Sequence, residues 1–237
     1  MKSHKEGSLE TVKFSEKREK YHENFAKIFD LGYEKEDLIH HFPSFVGTFT
    51  LSRMLNLYSF YVETKELAGH ICEVGVHKGF GSILFGKLIQ MYEPLSLTMV
   101  HGFDWFKGIE EETDSKLQLP GGDRSDETMM RELIRLQTLD GTIKIHNFDV
   151  RTDLPEFFEE HSHLRFRLAF IDSGTYAVTK AAIESIWPRL NKGGIMIFDQ
   201  YNNEVAPGET QAIHELLPNE TILNIGGWMP TSYVRKS

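Results

Sequence analysis

The stretch ICEVGVHKGFGS, from Ile71 to Ser82, changes hydrophobic period across a glycine turn. Ile71, Val74 and Val76 are β-formers in a short apolar run; Ile83, Leu84, Leu88 and Ile89 then recur at helical spacing. A buried strand that feeds straight into a helix is the repeating unit of an α/β layer. Gly75 and Gly79 punctuate the turn, where the lack of a Cβ and tolerance of positive φ let backbone approach a ligand closely.

The same switch of period recurs downstream. SLTMVHGFD (96–104) reads as a second strand, TIKIHNFDV (142–150) as a third, RFRLAFIDSG (165–174) as a fourth and IMIFDQ (195–200) as a fifth. Helical patterns separate them: one from Asp126, an N-cap candidate, one around PEFFEEH, one through TYAVTKAAIESIWPRL closed by KGG, and one near 208–217. TILNIGGW and TSYVRKS are two closing strand-like runs. Strands alternating with helices imply a Rossmann-like, doubly wound, mostly parallel sheet, with the closing pair as an antiparallel C-terminal edge hairpin.

Residues 1–45 form a charged segment of helical character, with Phe25, Ile28, Phe29 and Leu31 as an apolar face. Three roles stay open for it: a cap over the site, a homo-oligomer contact, or packing on the sheet. The main domain is expected over 46–237 and opens with a helix burying Leu51, Met54, Leu55, Leu57, Tyr58 and Tyr61, ending near Gly69. The segment at about 105–127 is long and polar for a compact α/β unit, which favours a substrate lid rooted at Trp105 and Phe106 over disorder.

Composition narrows the partners. A net charge of −9 disfavours nucleic-acid binding. A single cysteine, Cys72, excludes an internal disulfide framework and fits a reducing, cytoplasmic setting. No apolar run approaches the length of a membrane span, and MKSHKEGSLE lacks the apolar centre of a signal peptide, so no membrane is expected.

Glu73, Asp104, Asp149, Asp172 and Asp199 fall at or beside the carboxyl ends of the five expected strands. All project toward the sheet rim where ligands dock. The E-x-G-x-x-x-G of Glu73, Gly75 and Gly79 differs from the G-x-G-x-x-G of dinucleotide sites. It suits an amino group, such as the methionine part of S-adenosylmethionine (SAM), better than a pyrophosphate. Asp104 has the position that accepts two ribose hydroxyl bonds, and Asp149 is expected within reach of an adenine amino group. Asp172 and Asp199 belong to expected neighbours, and two carboxylates that close call for a proton or a cation between them. Oxygen ligands suit Mg²⁺ or another hard divalent ion, and Gln200 adds an amide oxygen; helix capping and loop bonding are the alternative roles.

With these residues the chain resembles the class I SAM-dependent methyltransferases, and more narrowly the macrocin O-methyltransferase family of sugar O-methyltransferases. The likeness runs from about Phe45 to the C-terminus and rests on EVGVHKG, GFDWFKG, IDSGTYAVTKAAIESIWPRLNKGGIMIFDQYN and APGET. It implies Asp172 as general base and metal ligand, Asp199 and Gln200 as further ligands, and Glu73, Gly75, Gly79, Asp104, Phe106 and Asp149 on the cofactor side. A small-molecule hydroxyl acceptor, a glycoside or nucleotide sugar, is the implied partner. Two positions depart from the pattern: Gly174 and Gln200 stand where the family has acids. Both weaken a metal site and leave open a metal-independent enzyme, or a SAM- or nucleoside-binding protein without catalysis. His77, His101, His146 and His214 are reserve bases, and Tyr176 and Tyr201 are candidates for the acceptor pocket or for packing on the rim.

Overall fold

The computed structural model describes residues 20, 23–25, 27–109, 124–204, 206–226 and 229–237; most of the expected lid, 110–123, lies outside the described residues. One seven-stranded sheet organises the chain, with β1 (His70–Val74), β2 (Val100–Asp104), β3 (Ile143–Asn147), β4 (Phe166–Ile171), β5 (Leu190–Phe198), β6 (Ile222–Asn224) and β7 (Ser232–Arg235). Their order is β3-β2-β1-β4-β5-β7-β6, parallel through β5 and antiparallel at the β5–β7 and β7–β6 pairs. The chain steps outward from β1 to β3, then returns to the other side of β1 to begin β4. The crevice therefore opens above β1 and β4, where strand order reverses.

Both faces of the sheet are covered, as a parallel sheet requires. On one face α3 (Thr48–Thr64), α4 (Phe80–Tyr92) and α5 (Glu127–Leu136) bury Leu57, Phe85 and Ile134 against Ile71, Leu168 and Ile197. On the other, α6 (Val150–Glu160), α7 (Tyr176–Ile186) and α8 (Pro207–Leu216) bury Leu154, Ile183 and Ile213 against Val74, Ala169 and Phe198. Two short helices, α1 (Lys35–His40) and α2 (Phe42–Phe45), precede α3 and bury no side chain. The N-cap expected at Asp126 is present, its carboxylate accepting the Met129 N–H at 3.0 Å.

Two local expectations change. The helix before β1 ends at Thr64 rather than near Gly69, and Leu55 is 51% exposed, because the buried stripe of α3 is Leu57, Phe60, Tyr61 and Thr64. KGG does not close the preceding helix; Lys192–Gly194 lies inside β5, whose ladder with β4 shifts register there. Gly194 permits this, since a Cβ would meet the Arg167 carbonyl oxygen at 2.9 Å.

Helix α3 runs against the strand direction and sets the ends of the site. Its C-cap residue, Lys65, gives its carbonyl to Arg167 at the start of β4 (2.9 Å), while Arg53, three turns earlier, reaches Asp172 just past the end of β4. Twelve helical residues rise about 18 Å. Five strand residues span about 17 Å, so helix and strand bring both pairs into register.

Candidate active site

The turn after β1 is held open by backbone geometry. Gly75, His77 and Gly79 have φ of +88°, +50° and +84°. At Gly75 a Cβ would lie 1.9 Å from the Asp172 carbonyl oxygen, so only glycine lets this turn pass so close to the end of β4. The turn and Asp172 are thereby fixed side by side.

Asp104 stands at the end of β2. Its Oδ2 accepts the His77 N–H and its Oδ1 the Phe106 N–H, both at 2.7 Å. Burial raises its pKa and the backbone N–H groups oppose that rise. Each oxygen keeps a second lone pair, the acceptor chemistry that the hydroxyls of a ribose diol need. Phe106, 6% exposed with φ +59°, orients Asp104 through its own N–H.

Glu73 works from beneath the turn. It is 1% exposed, and its Oε2 accepts the Ser82 N–H at 2.6 Å and the Ser82 hydroxyl at 2.5 Å. A Cβ at Gly81 would sit 2.2 Å from its Oε1, so that glycine makes room for the carboxyl. Burial pushes Glu73 up to about 8, against the Ser82 bonds and with help from Asp172.

Asp149 caps α6. It accepts the Arg151 N–H at 3.0 Å and the Arg151 guanidinium at 2.6–3.2 Å, and Arg151 holds its pKa below the usual carboxylate value. The Arg151 guanidinium also lies 5.0 Å from the Trp105 ring centre. Both Asp149 oxygens are thus engaged within the chain, with Trp105 stacked outside them. Arg124 donates to the Lys107 carbonyl at 3.2 Å and ties together the two ends of the 105–127 segment.

The sequence reading missed Arg53. Its Nη2 donates to Asp172 Oδ2 at 2.5 Å and its Nη1 to Asp199 Oδ1. The guanidinium carbon lies 5.1 Å from the Phe170 ring centre and 5.7 Å from that of Phe80. Burial opposes its charge, but Asp199 and Asp172 more than offset that, so its pKa stays above the ordinary arginine value. Asp199 is pushed up to about 8 by burial, with Arg53 pulling down and Asp172 pushing up. The side chain of Asp172 is 28% exposed and that of Asp199 4%, so Asp172 is the carboxylate that faces the crevice.

The loop after β5 is braced by APGET. Buried Glu209 accepts the Gln200 N–H at 2.5 Å and also the Gly174 N–H, while Thr210 Oγ1 accepts the Asn202 N–H at 2.7 Å. Burial holds Glu209 well above the usual carboxylate range. The Tyr176 hydroxyl donates to Glu215 at 2.5 Å, and that of Tyr201 lies 3.0 Å from His214 Nε2; both tyrosines bond to α8. His101, buried, and His146, half-buried, lie in an aromatic layer with Phe103 and Phe157.

The donor set does not fit a divalent ion. The two carboxylates already hold a guanidinium, the other two expected acids are Gly174 and Gln200, and no group of three His, Cys, Asp or Glu suited to a metal occurs among the described residues. The glycine turn and Asp104, joined through the His77 N–H, lie at the carboxyl ends of β1 and β2, with Asp172 beside the turn.

A sheet in this order, with a glycine turn at the switch point and acids on the rim above it, defines a class I methyltransferase fold. A family model described as a methyltransferase domain matches residues 72–201, more than half of the chain, and the chain belongs to that family. It is similar to CalS11, a calicheamicin methyltransferase, with 24% identity and a TM-score of 0.80 over 95% of this chain and 93% of that one. The apo structure of CalS11, described as TDP-rhamnose 3′-O-methyltransferase, gives 25% identity and a TM-score of 0.73 over 95% of each chain. An O-methyltransferase from Bacillus cereus in complex with SAH shares 14% identity and a TM-score of 0.52 over 90% of this chain and 91% of that one. No curated protein matches the chain.

Proposed function

We propose that the protein is a SAM-dependent O-methyltransferase acting on a hydroxyl of a small-molecule acceptor, a sugar carried by a glycoside or a nucleotide. The observation that carries this reading is the close approach of Asp172 to the Gly75 turn, which sets a part-exposed carboxylate beside the expected cofactor cleft. The nucleotide sugar in the description of CalS11 supports the acceptor class.

SAM supplies a methyl carbon on a positively charged sulfur. Asp104 accepts the ribose hydroxyls, and the Gly75–Gly79 turn lets the cofactor lie against backbone. Glu73 keeps that turn in place through Ser82. Asp172 accepts the acceptor's proton as its oxygen attacks, a general-base role contributing roughly 10²–10⁴-fold. Orienting the acceptor for in-line attack contributes a separate entropic gain. No step in this reading passes through a metal.

The test has two stages. SAM or SAH should raise the melting temperature, as any ligand preferring the folded state does. SAH release should then depend on a nucleoside-diphosphate sugar or glycoside. Stabilisation by NAD but by neither SAM nor SAH would sink the reading. SAM binding without SAH release across the acceptors would favour a binding protein instead.

A further inference from the structure

We infer that Arg53 is the resident cation of this site, occupying the place between Asp172 and Asp199 that a divalent ion would otherwise fill. Its catalytic meaning rests on the proposed function; the site itself does not. Two carboxylates from adjacent strands repel unless a proton or a cation lies between them. Here one planar group bridges them, with a separate N–H for each acid. The bridge is anchored at the edge of the core: Arg53, its side chain 18% exposed, stands one helical turn before Leu57, where the buried stripe of α3 begins, and Phe170 and Phe80 flank its guanidinium.

The surrounding positions agree. Gly174, φ +63°, turns its N–H to Glu209 and offers no carboxylate. Gln200 contributes a neutral amide whose Oε1 is buried without a hydrogen-bond partner. A hard divalent ion wants about six oxygen ligands, and two of those available already accept from a guanidinium. Arginine does not deprotonate in proteins, so this cation stays charged and takes no proton. It can steady negative charge growing on the acceptor oxygen, while the proton goes to Asp172.

Mn²⁺ binding to the EDTA-treated full-length protein, read from the EPR signal of free Mn²⁺, tests this without SAM or an acceptor. Wild type is expected to bind no stoichiometric Mn²⁺ below about 1 mM. Arg53→Met and Arg53→Gln should each gain one site at least tenfold tighter, lost again on adding Asp199→Asn. Arg53→Lys, which keeps the charge, should gain none. In parallel, SAH release by wild type should be indifferent to EDTA, and that of Arg53→Met should fall and partly recover with Mn²⁺. A stoichiometric Mn²⁺ site in wild type, or no gain in folded Arg53→Met and Arg53→Gln, overturns the inference. Should SAM fail to bind, the methyltransferase reading falls while the Mn²⁺ result still stands.

Discussion

Arg53 and Asp172 are 119 residues apart in the chain and joined by a 2.5 Å hydrogen bond in the fold. That bond links the helix covering the sheet to the residue just beyond β4. It holds Asp172 in one orientation beside the Gly75 turn.

Asp172→Asn keeps the shape and an acceptor oxygen but removes the base. Turnover is expected to fall roughly 10²–10⁴-fold. SAM affinity should stay within about twofold, since the change removes no cofactor contact. Parallel measurements of SAH release and calorimetric SAM binding check this; equal losses in both would move Asp172 to the cofactor side.

Asp104→Ala should do the reverse. It removes the acceptor for a ribose diol and also frees the N–H groups of His77 and Phe106, loosening the turn. SAM should bind at least about tenfold more weakly, a cost of about 1.4 kcal/mol. A calorimetric titration decides it, and unchanged affinity would rule out the ribose role.

The strand ends were readable because apolar runs and their terminal acids lie within a few residues of each other. The glycine turn was readable for the same reason. Arg53 was harder to see, because its partners are 119 and 146 residues away. Its one local signal was a lone cation on the stripe that continues as Leu57, Phe60, Tyr61 and Thr64, where a charge needs a buried partner. Asp149 shows the opposite difficulty. An acid after a strand reads equally as ligand binder or helix cap, and only the fold reveals Arg151 folded back on it.

The end of the sheet away from the site carries its own buried charge. Arg167, 1% exposed, pairs with Glu93 beyond α4, and the Tyr61 hydroxyl donates to the same carboxylate at 2.6 Å. Burial opposes ionisation of Glu93, but Arg167 and Tyr61 win and its pKa falls. Glu93→Ala leaves a buried guanidinium without its counterion, which costs about 3–5 kcal/mol. At roughly 2–4 °C per kcal/mol for a chain of this size, the melting temperature should drop by about 10 °C. SAM affinity, measured well below the transition, should be retained because the pair is remote from the cleft. A drop under about 2 °C would mean the pair adds little.

His101, which is buried, and His146, which is half-buried, predict the acid limb of stability. His101 Nδ1 and His146 Nε2 are 3.1 Å apart, with the rings stacked 4° from parallel. Burial lowers both, His101 to about 3 and His146 to about 4, with His161 and Lys144 adding to the effect. In the unfolded chain each titrates near pH 6.5. From about 6.5 down to their folded values the unfolded state holds more protons, so stability is fully present above about 6.5 and falls as pH drops. Each histidine adds a slope of up to about 1.4 kcal/mol per pH unit. Glu73, raised to about 8, acts in the opposite sense over its own range, but it is common to wild type and variant and cancels in their difference. Urea midpoints from pH 8 to 4 should therefore fall less steeply in His101→Leu/His146→Leu than in wild type. Identical slopes would show that neither histidine is held neutral by the fold.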